Sequence, residues 1–208
     1  MTQHAPGEET RARLLAGGRL FDAEIDGVDA SERVLDGLVL EDCTVRSGRF
    51  VATRVVRGRI VSTRFEDCDL TAARLAECAL HEVRFVRCRL RSVDFTLAAS
   101  LRALAFEECV LDGAGFAGLE LPGLVLSRGS AREALFEDAR LRGADLRGAD
   151  LTGAVFAGAD LRGADLRDAR GYAFDPRAVR VAGLRVSLPE GAALLAALGI
   201  RFDALDDA

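Results

Sequence analysis

The sequence is poor in the residues from which an activity is usually read. It has two histidines and no lysine, so that all 28 basic residues are arginine. His4 lies in an N-terminal tail, His81 is expected to face solvent, and neither has metal-ligand spacing to a cysteine or carboxylate. No apolar run could span a membrane. The longest near the end, Ala192 to Leu198, is far below the roughly 20 residues required. Met1 to Gly18 lacks the apolar core of a signal peptide, so a cytoplasmic location is expected. Four prolines and no Pro/Gly/Ser-rich tract in 208 residues argue for one domain without an internal linker. A formal charge of -5 and a pI near 5.2 disfavour non-specific binding to nucleic acid or to an anionic membrane.

What the sequence has instead is a beat of five. From Ala139 to Arg170 every fifth residue is large and apolar: Leu141, Leu146, Leu151, Phe156, Leu161, Leu166. Two places before each stands an alanine, from Ala139 to Ala164. A period of five fits neither a helix nor a flat strand, and fixed self-similarity means a repeat that buries its apolar face only against its neighbours. Stepping backward in fives reaches Leu101. After one extra residue the phase resumes at Phe95 and continues to Leu20. That makes 16 units before the slip and 15 after it, and Leu, Ile, Val or Phe fills 28 of the 31 centres. Ala30, Ala131 and Gly171 are the exceptions.

Units such as Ala144-Asp145-Leu146-Arg147-Gly148 and Ala159-Asp160-Leu161-Arg162-Gly163 resemble the A(D/N)LxG consensus of the pentapeptide-repeat proteins. The resemblance implies a right-handed quadrilateral parallel β-helix, an all-β solenoid in which four units make one 20-residue coil. The centre and the small residue two before it would point inward, and the other three outward. Thirty-one units make about eight coils, a rod on the order of 37 Å long at about 4.8 Å per coil. The expected organisation is an N-terminal tail or cap over residues 1–17, the β-helix over 18–173 and a C-terminal cap over 174–208.

Local features refine this picture. Cys43, Cys68, Cys78, Cys88 and Cys109 all occupy the small inward position and read as buried packing residues. An odd number without an export signal argues against a disulfide framework. Arg33 occupies an inward position beside the weak centre Ala30, which predicts a distorted or looped-out first coil. The slip between Phe95 and Leu101 predicts a bulge or small loop at one corner. After Gly171 the phase is lost, and Ser187-Leu188-Pro189-Glu190 reads as a capping box opening a helix near 188–198 that stops at Gly199. That helix would lid the last coil or form a dimerisation face. Glu8 to Leu15 reads as a short helical cover at the other end. Gly113-Ala114-Gly115-Phe116-Ala117-Gly118 matches GxGxxG, but the five-residue phase continues through it and no helix follows to receive a pyrophosphate.

The family resemblance also implies a function, because certain members mimic the B-DNA rod and bind type II topoisomerases such as gyrase. That would require a continuous acidic stripe. Counted by 20-residue columns, the four faces carry six, nine, six and five acids against six, seven, five and three arginines, so none is strongly negative. Along the axis the charge is zoned. Leu20 to Asp42 holds eight acids and one arginine, whereas Cys43 to Phe65 holds Arg46, Arg49, Arg54, Arg57, Arg59 and Arg64 with no acid. This belt either pairs with the acidic first coil or docks a partner. The sequence therefore predicts a non-enzymatic scaffold that binds another macromolecule, a protein, through its outer faces. A DNA-mimicking modulator of gyrase is the alternative. No catalytic, cofactor or metal residues, no direct nucleic-acid contact and no membrane contact are expected, and the chain would be a monomer or a dimer through its C-terminal region.

Overall fold

The computed structural model describes residues 6–200. Short strands stack in parallel at the repeat spacing. On the first face, face A, Leu20 pairs with Leu40, Leu40 with Ile60 and Ile60 with Leu80, each 20 residues on; across the slip Leu80 pairs with Leu101. Face B runs from Ile25 through Val45, Phe65, Phe85 and Phe106 to Leu126. Face C is held by single bridges from Asp29–Arg49 to Asp150–Arg170, and face D begins with Leu35, Val55 and Leu75. Together they form one parallel β-solenoid of about eight coils.

The backbone explains why a unit of five suffices. Three residues form the wall and the next two turn the corner, where one residue must adopt left-handed φ. In the early coils Asp42, Ser62 and Glu82 accept that conformation at φ 54°, 45° and 56°; in the later ones Gly143 and Gly163 supply it without strain. Backbone donors then reach the adjacent coil, as in Arg64 N–H to the Cys43 carbonyl (2.9 Å) and Leu70 N–H to the Arg89 carbonyl (2.7 Å). Among the described residues the buried side-chain polar atoms left without a partner are Ser31 Oγ and the Tyr172 hydroxyl.

The centres fill that tube. Phe65, Phe85 and Phe106 stack on face B at 5.1 Å between centroids. Phe95, Phe116, Phe136 and Phe156 stack on face D at 4.9 to 5.0 Å. The spacing is that of the strands themselves, so the coil pitch sets the ring pitch. The five cysteines are free and buried. Cys68, Cys88 and Cys109 form a column on face C in which the Cys68 N–H donates to the Cys88 sulfur and the Cys88 N–H to the Cys109 sulfur, both at 3.4 Å. Burial pushes the thiols of Cys43 and Cys78 up; for Cys68 and Cys109 the bond with Cys88 and burial act together in the same direction.

Three local expectations are corrected. The first coil is regular: Asp29 bridges Arg49, Val34 pairs with Arg54, and Arg33 keeps its backbone in the ladder while its side chain is exposed. The buried-guanidinium cost that would have forced a loop is never incurred. The phase after Gly171 is only partly lost. Arg180 bridges Asp160, and Arg185–Val186 pairs with Asp165–Leu166, so the ladder continues past residue 173. Gly171 is exposed at its centre position, and the next residue, Tyr172, is buried in its place near Phe174. The capping box does not form either. The C-terminal helix spans Glu190–Ala197 without a side-chain cap, because the Ser187 hydroxyl instead accepts the Asp168 N–H at 3.1 Å.

A 3₁₀ turn at Phe95–Leu97, capped by the Asp94 side chain, absorbs the extra residue of the slip. The N-terminal helix, Pro6–Leu15, lies on the first coil with Leu14 fully buried, and Arg11 Nε donates to the Asp26 carbonyl at 2.6 Å. Leu194 of the C-terminal helix joins the core from the other end. Residues 113–118 are turns and a bridge within the wall, with Gly113 and Gly118 at corners, and no helix follows them. His81 is half-buried, its Nε2 2.8 Å from the Ser100 hydroxyl, rather than free in solvent. His4 lies outside the described residues.

Candidate interaction surface

Because centres and small companions point inward, chemistry is confined to the outer wall. The six belt arginines do not form one patch. Arg59 lies on face A, Arg46 and Arg64 on face B, Arg49 on face C, and Arg54 with Arg57 on face D. Four are tied to acids. Arg46 bridges Glu24 (3.1 Å) and Glu66 (3.2 Å), Arg49 lies 3.9 Å from Asp29, Arg57 pairs with Asp36, and Arg64 pairs with Glu66. Hydrogen bonds donated to Glu24 and Glu66 raise the Arg46 guanidinium, and the bond from Arg64 holds Glu66 below the usual carboxylate range. Three of the six thus pair with the acidic first coil: Arg46 with Glu24, Arg49 with Asp29 and Arg57 with Asp36. Arg54 and Arg59 have no acid within ion-pair distance among the described residues, and Arg54 pairs in register with Arg74.

The Asp-x-Arg step of the repeat forms its own ion pair. Asp145 takes Arg147 through both oxygens at 2.8 and 2.7 Å, and Asp165–Arg167 and Asp175–Arg177 repeat the fork. Bonding from Arg167 holds Asp165 down at about 2. Such neutralisation leaves no face with the continuous acidic stripe of a phosphate mimic.

Two aspartates escaped the sequence reading, which placed every residue preceding a centre in solvent. Asp150 and Asp160 are 3% and 1% exposed. Asp150 receives Arg132 Nη2 at 2.6 Å, Thr152 Oγ1 at 2.7 Å and Arg170 Nη2 at 3.1 Å. Burial alone would push its carboxyl up, but these bonds outweigh it and hold the group well below the usual range. Asp160 receives Arg142 Nε at 2.7 Å and Arg162 Nη2 at 2.6 Å, with Arg180 Nη1 at 3.8 Å. The signal was available as arginines 18 residues before, 2 after and 20 after each position; only Thr152 in place of an arginine breaks it at Asp150. Whole-face tallies averaged it away.

A closed, aromatic-filled tube with a charge-paired outer wall defines a β-solenoid repeat protein, whose available surface is its outside. The sequence agrees: residues 38–116 match the model of a pentapeptide repeat region, and residues 132–170 match that of pentapeptide repeats in eight copies. The chain belongs to the pentapeptide-repeat family. No curated protein matches it. Among solved structures it resembles a trypsin-treated variant of QnrB1, described as a plasmid-mediated fluoroquinolone resistance protein. The TM-score is 0.71 at 20% identity, covering 91% of this chain and 92% of that one. Full-length QnrB1 gives 0.61 at 18%, covering 91% and 93%. HetL from the cyanobacterium Nostoc, described as involved in heterocyst differentiation regulation, gives 0.43 at 20%, covering 90% and 99%.

Proposed function

We propose that this protein is a non-enzymatic scaffold of the cytoplasm that binds another protein through its outer faces. The observation behind this reading is the interior: inward positions are packed from Leu14 to Leu194 as one continuous core, so a partner can be met only from outside. A rigid wall with fixed coil pitch presents side chains in rows about 4.8 Å apart, which favours recognition of an extended or helical protein surface. Arg54 and Arg59, free of acids, are the belt residues best placed to reach a partner. The test is capture of the partner from lysate, followed by the same capture with Arg54→Glu and Arg59→Glu. Retention of the partner by a folded double variant would move the contact off the belt.

A second reading is that the partner is a type II topoisomerase, with the rod standing in for DNA. What favours it is the likeness in shape to QnrB1 over nine-tenths of both chains; the balanced faces weigh against it. A gyrase supercoiling assay with and without a quinolone decides. No change on adding micromolar protein would dispose of this reading and leave the scaffold reading standing.

A further inference from the structure

The arginine-rich depression on face A around Asp160 has no role in the readings above. It has a volume of about 460 Å³ and is lined by Glu120, Pro122, Arg140, Arg142, Asp160 and Arg180. Arg140 and Glu120 neutralise each other at its rim. The Asp160 carboxylate at its floor takes Arg142 and Arg180, which line the depression with it, and also Arg162, which does not. Among the described residues Asp160 is the only acid paired with three arginines; Asp150 and Asp165 have two each. The lining therefore carries one positive charge in excess, on a chain whose net charge is -5.

The arrangement is built rather than incidental. Asp160 is 1% exposed, whereas the side chains of Arg142, Arg162 and Arg180 are 57%, 38% and 66% exposed. Arg142 contacts the carboxylate through Nε alone, so both its Nη groups remain unspent, as does one Nη of Arg162. The buried carboxylate thus pins two planar forks from below and leaves their outer donors directed away from it. Pinning removes much of the rotamer freedom an arginine would otherwise lose on binding. The adjoining corner carries Gly123, Gly143 and Gly163, and no atom lies within 4 Å of where a side chain would begin at any of them. Access to the forks from that side is open.

We propose that this depression binds a phosphoryl oxyanion, with Arg142 and Arg180 as its ligands and Asp160 as the residue that positions them. Planar, permanently charged donors in a fork match phosphate oxygens two at a time. The volume admits more than one phosphoryl group, so pyrophosphate is the probe. None of the belt arginines lines the site.

The test is isothermal titration of the full chain with inorganic pyrophosphate at low ionic strength. Saturable one-to-one binding is expected, weakened about tenfold or more by Arg142→Gln and by Arg180→Gln. The Arg54→Gln/Arg59→Gln variant should bind as the parent does. Arg180 touches the carboxylate only at 3.8 Å, so its variant should fold even if the Arg142 variant does not. A phosphoserine peptide titrated alongside separates the source: tighter pyrophosphate binding assigns a free small molecule, tighter peptide binding a modified protein. Non-saturable heats, unchanged binding in folded Arg142 and Arg180 variants, or equal loss in the Arg54/Arg59 control would overturn the proposal.

Discussion

The rings of Phe116 and Phe136 lie 5.0 Å apart and within 2° of parallel, one coil above the other. Isolated aromatic pairs favour offset or edge-on geometry, so this parallel stack reflects the pitch of the wall as much as ring preference. Phe116 also meets Phe95 at 4.9 Å on its other side. Replacing it with alanine opens a void between two flat neighbours that cannot tilt together without breaking strand register. A loss of about 3–5 kcal/mol is expected in denaturant melts of Phe116→Ala. A loss below about 1 kcal/mol would show that the tube collapses around vacancies.

Corners and walls should answer differently to the same added methyl group. At Gly129 a Cβ would sit 2.4 Å from the Cys109 carbonyl oxygen, a backbone atom fixed in the next coil. At Gly143 it would meet nothing within 4 Å, at a φ of +65° in the left-handed region that Ala52 and Ala72 occupy at φ 52° and 55°. Gly143→Ala should cost about 1–2 kcal/mol. Gly129→Ala should cost clearly more, and equal melting temperatures for the two would refute the clash.

Much of this was legible because one rule, repeated, fixes a whole coil. The centres from Leu20 to Leu166 could be assigned to the interior by counting, and the slip could be placed between Phe95 and Leu101. The ends were harder because capping is done by single contacts. Ser187 has the spacing of a helix cap, yet its hydroxyl goes to Asp168 one coil below. Tyr172 replaces Gly171 by a one-residue shift that no periodicity announces. The depression on face A was missed for a different reason: the carboxylate of Asp160 is buried by the arginines around it, not by its own place in the unit.

Acid should loosen the wall before it touches the core. Asp165 is held at about 2 by Arg167, and Asp67, Asp145 and Asp150 are likewise held below their ordinary range. Carboxyls depressed on folding contribute stability that is complete above the unfolded value, about 4, and lost as pH falls through the folded one. The melting temperature is expected to be level with respect to these groups from pH 7 to 5 and to drop between pH 4 and 2. A curve that stays flat to pH 2 would mean the forks contribute nothing.

The five thiols offer a probe of cooperativity. All are at most 2% exposed, and those of Cys43 and Cys78 are raised by burial, so the native protein should not react with a thiol-specific dye over minutes. All five should react at once in denaturant. Partial labelling of Cys43 alone under native conditions would reveal opening of the N-terminal coils without the rest.

The hydrogen bonds that run from each coil to its successor have a last consequence. A newly made turn of chain has donors and acceptors waiting for a layer not yet synthesised, and it is finished only when 20 further residues arrive. A coil therefore completes its bonding only when its neighbour is in place. At the two ends, where an uncovered ladder would offer itself to a neighbour's strand, the N-terminal helix packs against the first coil and the C-terminal helix adds Leu194 to the core.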